Sequence, residues 1–390
     1  MKAIIPYGRQ EISQADIDAV VAVLRSDFLT QGPTVPAFEN AVANYCGVKY
    51  ALAVNSATSA LHIACLALGV GKGDVVWTTP ITFVASANCA LYCGATVDFV
   101  DIDPLTYNLS VDRLAEKLEQ AAKTGKLPKV VIPVHLSGQS CDMVGIYALG
   151  QKYGFKIIED ASHAIGGKYK DEPIGNCKYS NITVFSFHPV KIITTGEGGM
   201  AVTSDISLAK KMRLLRSHGI SSVPEDMRER PPNEIWNYQQ IELGFNYRMM
   251  DIQAALGLSQ MTRLDKFVSK RQEIAKRYNQ LLSPLPVVTP FQNAQCYSAC
   301  HLYVIRLKLK EIQGSQRKIY DAMNSAGILV NLHYIPIYLQ PYYSQMGFRA
   351  GYCSQAEHFY SEAISIPLYS GLTEIQQNLI VTKLYEAIKT

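Results

Sequence analysis

Apolar positions near the start of the chain recur at helical intervals. "SQADIDAVVAVLRS" sets Ile17, Val20, Val21 and Leu24 on one stripe, behind Ser13 and Asp16 in capping-box spacing, and predicts a helix. "DFLTQGPTVPAFENAVANYCG" follows, a Gly/Pro turn from Leu29 to Pro33 leading into a second helix. From residue 50 to about residue 205 the pattern changes to short β-rich runs, "YALAVN", "DVVWTTP", "ATVDFVDI", "KVVIPVHLSG", "FKIIED", "NITVFSF" and "GGMAVTS", separated by helix-like segments. That alternation predicts parallel strands with crossover helices, a three-layer, mostly parallel α/β domain. From residue 254 "QAALGLSQMTRLDKFVSKRQEIAKRYNQLLSPL" reads as one long helix, followed by a smaller α+β unit. The expected division is a large domain over 1–253 and a linking helix with a small domain over 254–390, the latter's own structure starting near Pro284–Pro290.

The bulk numbers narrow the class. With 390 residues and 48% hydrophobic content the chain can bury a substantial core. A formal charge of +4, without a long basic run, argues against nucleic acid or an anionic membrane as the main partner. No apolar run is long enough to span a bilayer, and "MKAIIPYGRQEIS" lacks the features of a secretory signal, so a cytoplasmic location is expected. Nine cysteines with no C-x-x-C pair fit reduced thiols. Cys296, Cys300 and His301 lie close together, but no second ligand pair follows; packing cysteines are expected there and no metal.

In parallel sheets ligands gather beyond the carboxyl ends of strands, so the residues just after each β-rich run draw notice. "NSATSALHIA" follows the first run and opens a helix; its free N–H groups and hydroxyls can hold a phosphate, or Ser56 can simply cap the helix. In "TTPITFVASAN", Phe83 is either a stacking platform for a flat ring or a core residue. "IIEDASHA" ends a strand in Glu159 and Asp160 with His163 nearby; Asp160 can meet a ligand cation or cap a helix. In "SFHPVKIITTGEGGM", Lys191 among apolar neighbours is either a surface lysine before a turn or a partly desolvated amine able to attack a carbonyl. "GVGKGD" precedes a strand and follows a helix, the reverse of a dinucleotide fingerprint, and reads as a turn.

A phosphate cradle, an aromatic platform, a carboxylate for a ring nitrogen and a poised lysine are together the parts that pyridoxal 5'-phosphate requires. At these residues the chain resembles the DegT/DnrJ/EryC1/StrS sugar aminotransferases, of aspartate-aminotransferase-like fold (fold type I). The resemblance covers essentially the whole sequence through "LTQGP" (29–33), "NSATSAL" (55–61), "TPITFVASAN" (79–88), "EDASHA" (159–164), "FSFHPVKIITTGEGGM" (185–200), "GFNYRM" (244–249) and "HYIP" (333–336). It implies that Lys191 carries the cofactor covalently and Asp160 partners its ring nitrogen. It further implies that Phe83 stacks on the ring, that Ala57, Thr58 and Ser186 meet the phosphate, and that His163 lies near the phenolic oxygen. Asn246 would reach the phosphate of a neighbouring subunit, which implies a homodimer with shared sites. Ala57 replaces the glycine found in many members, a change that a site built on backbone N–H groups tolerates. Related dehydratases carry histidine where this chain has Lys191, so transamination is expected.

Within the family, "IPYGRQEISQADI", "SFHPVK", "RSHGI" (216–220) and "VNLHYIPIY" (330–338) resemble enzymes that aminate C4 of a UDP-linked 4-keto-6-deoxy-2-acetamido sugar of L-altro type on the route to pseudaminic acid. The resemblance implies L-glutamate as donor. Tyr7, Asp27, Phe28, Leu29, Thr30, Ala57, Ser186, Asn246, Asn331, His333 and Tyr334 would contact the nucleotide sugar. Perosamine- and legionaminic-type 4-aminotransferases are the alternatives. For Tyr334, Tyr338, Tyr342 and Tyr343 aromatic packing is the competing reading. A nicotinamide oxidoreductase is disfavoured because no G-x-G-x-x-G joins a strand to a helix, and a DNA-binding regulator because neither a reading helix nor a basic face is evident.

Overall fold

The computed structural model describes residues 4–229, 233, 234 and 237–389. Helices α1 (Gln14–Leu24) and α2 (Thr34–Cys46) lead into the central sheet. Its strands are β1 (Tyr50–Val54), β2 (Val75–Thr78), β3 (Thr96–Phe99), β4 (Val130–Ile132), β5 (Lys156–Asp160), β6 (Ile182–Ser186) and β7 (Gly199–Thr203), in the spatial order β1-β7-β6-β5-β4-β2-β3. The interleaved helices are α3 (Ala57–Ala67), α4 (Ala85–Tyr92), α5 (Val111–Thr124) and α6 (Met143–Tyr153). The strands from β6 to β3 run parallel, while β7 is antiparallel to both β1 and β6. A short connection explains the reversal. The chain from Ser186 to Gly199 turns back beside β6 instead of crossing over through a helix.

Strand alternation divides the core into opposite faces. Leu52 and Val54 pack with α3 and α4, whereas Ala51 and Ala53 pack with α2. Trp77, Val131 and Ile157 meet α5 and α6. Burial on both faces is why these strands are almost wholly apolar.

Helix α1 departs from the expected stripe. Ser13 and Asp16 do form a capping box, yet Ile17 and Leu24 are 47% and 54% exposed, while Asp16 is buried. Asp16 takes hydrogen bonds from Ser259 Oγ (2.6 Å) and Gln260 Nε2 (2.9 Å) and pairs with Arg263, so polar contacts anchor the helix beside the buried Val23 and the half-buried Val20 and Val21. The long helix expected from residue 254 is likewise two helices, α7 (Asp251–Met261) and α8 (Leu264–Leu282). Arg263 leaves helical geometry between them (φ −116°, ψ 5°) and sends its guanidinium to Asp16.

A three-stranded antiparallel sheet of β8 (Val287–Val288), β9 (Tyr303–Leu307) and β10 (Ala363–Ile366) organises the C-terminal part. Its core holds Ile305, Ile319 and Ile380 together with Ile274 and Tyr278 of α8. Ile5 joins the same core through a bridge to Ile328, so the N-terminal segment reaches across to this unit.

Candidate active site

Neighbouring strands end together and bring several of the expected residues to one place. Asp160 is the last residue of β5 and Ser186 the last of β6. The same alternation sends Glu159 the other way, to His135 (2.8 Å) and Thr183 (3.0 Å), where it is a structural group. Asp160 Oδ2 accepts the hydroxyl of Ser86 at 2.6 Å and Oδ1 accepts the N–H of Ser162 at 3.1 Å. Since the single Ser86 hydrogen goes to Asp160, Thr82 Oγ1 donates to Ser86 at 2.9 Å. A buried carboxylate is thus held in one orientation.

Lys191 lies in the loop between β6 and β7, its N–H bonded to His188 O at 2.9 Å. The side chain is half-buried and makes no ion pair within 4 Å among the described residues. Burial lowers its pKa to about 8, partly opposed by the Asp160 charge. Of the readings open at the sequence level, the desolvated amine holds and the surface lysine does not. Its cation is felt nearby: burial foremost, then Lys191, pushes His163 and His301 well down and His333 to about 3.

The start of α3 is both a capped helix and an open cradle. Ser56 Oγ accepts the N–H of Ser59 at 3.1 Å, yet among the described residues no protein acceptor meets the N–H groups of Ala57 and Thr58. Ser186 pairs in register with Gly199, and a Cβ on Gly199 would lie 2.5 Å from Ala57 N. Ser186, Gly199 and the α3 N-terminus therefore share one corner, with backbone N–H groups available to an anion. Phe83 is 59% exposed, which removes the core reading, and its ring is 6.5 Å from that of Tyr334.

Tyr334 Oη and His163 Nε2 are 3.2 Å apart. His333 bonds Ser365 Oγ through Nδ1 at 2.8 Å, meets Asn331 Nδ2 at 3.4 Å, and packs on Tyr7 at 5.3 Å between ring centroids. His333 and Tyr334 thus stand within the electrostatic reach of Lys191 and Asp160, respectively. Tyr338 and Tyr343 are buried packing residues, whereas Tyr342 is exposed.

Other expected residues lie elsewhere in the chain. Asp27, Phe28, Leu29 and Thr30 are exposed, and Leu29 O accepts from Asp251 N at the start of α7 (3.0 Å); their hydrogen bonds do not go to the Lys191 cluster. Asn246 is exposed and its carbonyl takes Asn55 Nδ2 at 3.4 Å, just before α3. Sequence reasoning missed Ser86, although its place one helical turn after Phe83 was a usable signal, and missed Ser137, whose N–H reaches His163 Nδ1 at 3.3 Å. Among the described residues no group of three His, Cys, Asp or Glu side chains is arranged to hold a metal.

A desolvated lysine, an oriented carboxylate at a strand end, an exposed aromatic platform and unpaired N–H groups fit the chemical parts of pyridoxal 5'-phosphate. The model of the DegT/DnrJ/EryC1/StrS aminotransferase family matches residues 10–385. The chain belongs to that family. Among curated relatives, a UDP-4-amino-4,6-dideoxy-N-acetyl-beta-L-altrosamine transaminase of Campylobacter jejuni is 38% identical over 94% of this chain and 92% of its own length. A GDP-perosamine synthase of Caulobacter vibrioides is 36% identical over 92% and 91%. Among solved structures, Helicobacter pylori PseC, described as an aminotransferase of pseudoaminic acid biosynthesis, superposes with a TM-score of 0.89 at 32% identity, covering 99% of each chain. Spr1654 of Streptococcus pneumoniae, described as a sugar aminotransferase by assignment and solved in its PLP form, gives a TM-score of 0.87 at 28% identity over 99% and 98%. The fold is therefore fold type I, and the protein is a sugar aminotransferase dependent on pyridoxal phosphate.

Proposed function

We propose that the protein moves an amino group from L-glutamate to C4 of a UDP-linked 4-keto-6-deoxy-2-acetamido sugar of L-altro type, as in pseudaminic acid biosynthesis. The observation that carries the chemical part is a Lys191 amine, its pKa lowered to about 8 by burial, within the electrostatic reach of an Asp160 carboxylate held in place by Ser86. The relatives named for the altrosamine reaction and for PseC support the sugar.

Pyridoxal phosphate, when bound, supplies an aldehyde that accepts the amino group and a ring that draws electrons from the reacting carbon. On this reading Lys191 would be the covalent anchor of the group, and its amine, when free, would be the base that carries the proton of the donor's α-carbon to the cofactor carbon in one half-reaction and a proton from that carbon to sugar C4 in the other. Asp160 would hold the proton on the ring nitrogen, Phe83 would cover one ring face, and Ala57 N–H, Thr58 N–H and Ser186 Oγ would hold the phosphate. His163 would lie on the phenolic side. Tyr7, Asn331, His333 and Tyr334 take the sugar.

A homodimer belongs to the same proposal. Asp27–Thr30 are exposed and bonded away from the Lys191 cluster of their own chain, which supports their serving a neighbour's site, and the exposed Asn246, bonded through its carbonyl to Asn55, is assigned by the resemblance to a neighbour's phosphate.

The perosamine synthase relative supports a GDP-linked sugar as the competing substrate. Purified protein incubated with glutamate and UDP-, GDP- and dTDP-linked 4-keto sugars, with the C4 configuration of the product assigned by NMR, decides between them. Amination of the UDP-linked L-altro substrate is expected. Product from GDP-linked sugars alone would overturn the specific assignment and leave the aminotransferase activity standing.

A further inference from the structure

Behind His163 lies a set of contacts that the reaction does not itself use. Ser137, at φ 59°, donates its N–H to His163 Nδ1 at 3.3 Å and accepts the N–H of His301 at 2.8 Å on its carbonyl. The His301 ring packs on that of His163 with centroids 4.4 Å apart and a 46° tilt. His301 is buried and its Nδ1 has no partner among the described residues. Gly138 (φ 102°) permits the approach, because a Cβ there would lie 2.9 Å from both Cys300 N and His163 O. From the far side the buried Arg271 donates Nη1 to the carbonyls of His301 (3.2 Å) and Leu368 (3.0 Å).

Counting hydrogens assigns the His163 tautomer. The N–H of Ser137 can only donate, so Nδ1 carries the lone pair. Burial and the Lys191 cation keep the ring neutral, so its proton sits on Nε2. Nε2 then donates to Tyr334 Oη, and burial keeps that phenol protonated. With its lone pair engaged, Tyr334 retains its own hydrogen, for which the described residues offer no acceptor. It stands beside Phe83 as a donor without a partner.

We propose that His301 is a positioning residue: its N–H holds the Ser137 carbonyl and its ring packs on His163, which keeps the Ser137 N–H on His163 Nδ1 and leaves the proton on Nε2, so that Tyr334 presents a hydrogen-bond donor to an oxygen acceptor of a substrate. The kinetic part rests on the aminotransferase reading; the tautomer does not. A carboxylate of the amino donor and an oxygen of the keto sugar share this chemistry.

The test is nitrogen-15 NMR of histidine-labelled holoenzyme, with His163 assigned by its loss in His163→Gln, alongside separate kinetics of the glutamate and sugar half-reactions. Wild type is expected to show a neutral His163 protonated on Nε2. His301→Ala should blur that signature and slow one half-reaction on the order of 10- to 100-fold. Tyr334→Phe should slow the same one. The glutamate half-reaction points to the carboxylate and the sugar half-reaction to the sugar oxygen, either result supporting the proposal. His301→Phe, which restores a flat ring, should recover both signature and rate. A proton on His163 Nδ1 in wild type, or a His301→Ala protein unchanged in signature and rates, overturns it. Should His301→Ala fail to fold, His301→Leu, which keeps the bulk and loses the flat ring, is measured in its place, and a signature and rates equal to wild type overturn the proposal. Wild type with no product from any sugar but the expected tautomer would sink the functional reading alone.

Discussion

Ser86 hands its hydroxyl hydrogen to Asp160 at 2.6 Å, and the carboxylate is held from the other side by the N–H of Ser162 at 3.1 Å. Ser86→Ala leaves a buried carboxylate oxygen short of a donor. A loss of about 1–3 kcal/mol in stability is expected, together with slower turnover because the carboxylate is freer to turn. Thermal unfolding and kcat of the variant check this; an unchanged kcat would mean that Ser162 alone orients the group.

Lys191→Met removes an amine from an apolar loop and keeps its length. Turnover should disappear while the fold persists, since no ion pair depends on the amine among the described residues. Borohydride treatment followed by mass spectrometry should find a cofactor adduct on the peptide carrying Lys191 in the wild type and none in the variant. Appreciable turnover in Lys191→Met would refute the assignment.

The depressed lysine also predicts a pH dependence of stability in the cofactor-free protein. Its pKa is about 8 when folded against 10.5 unperturbed, so between these values the unfolded chain binds more protons. The contribution of Lys191 to stability therefore rises with pH across that window, and below about 8 the folded state bears the full cost of a charged, desolvated amine. Denaturant unfolding on both sides of the window should show this rise in wild type and a flatter profile in Lys191→Met. Parallel profiles would argue that the amine stays well hydrated.

How much of this was legible beforehand follows from the range of the forces involved. The α/β alternation reports burial on both sheet faces, a local pattern, and the strand-end residues Asp160 and Ser186 follow from it. Helix α1 misled because Asp16, and not Ile17 or Leu24, is its buried anchor, through contacts with Ser259 and Arg263 far along the chain. The same Arg263 contact splits the helix that periodicity joined. Ser137 was invisible because its part is played by a backbone N–H at positive φ, and no side-chain pattern encodes that.

The glycines after Lys191 divide by role, and the division is testable. Gly196 has a φ of 80° with open space around it, so it serves the turn. Gly199 serves contact: a Cβ would meet Ala57 N and Ser56 C at 2.5 Å, backbone atoms that cannot swing aside. Gly199→Ala must therefore push β7 away from the α3 N-terminus, costing about 1–3 kcal/mol and spreading the corner shared by Ala57, Thr58 and Ser186. Weaker retention of pyridoxal phosphate on dialysis is expected, with a lower melting temperature. Gly196→Asn, a residue that tolerates positive φ, should leave cofactor retention close to wild type. Equal cofactor loss in both variants would mean that the loop acts as a whole and that Gly199 has no special closeness to the cradle.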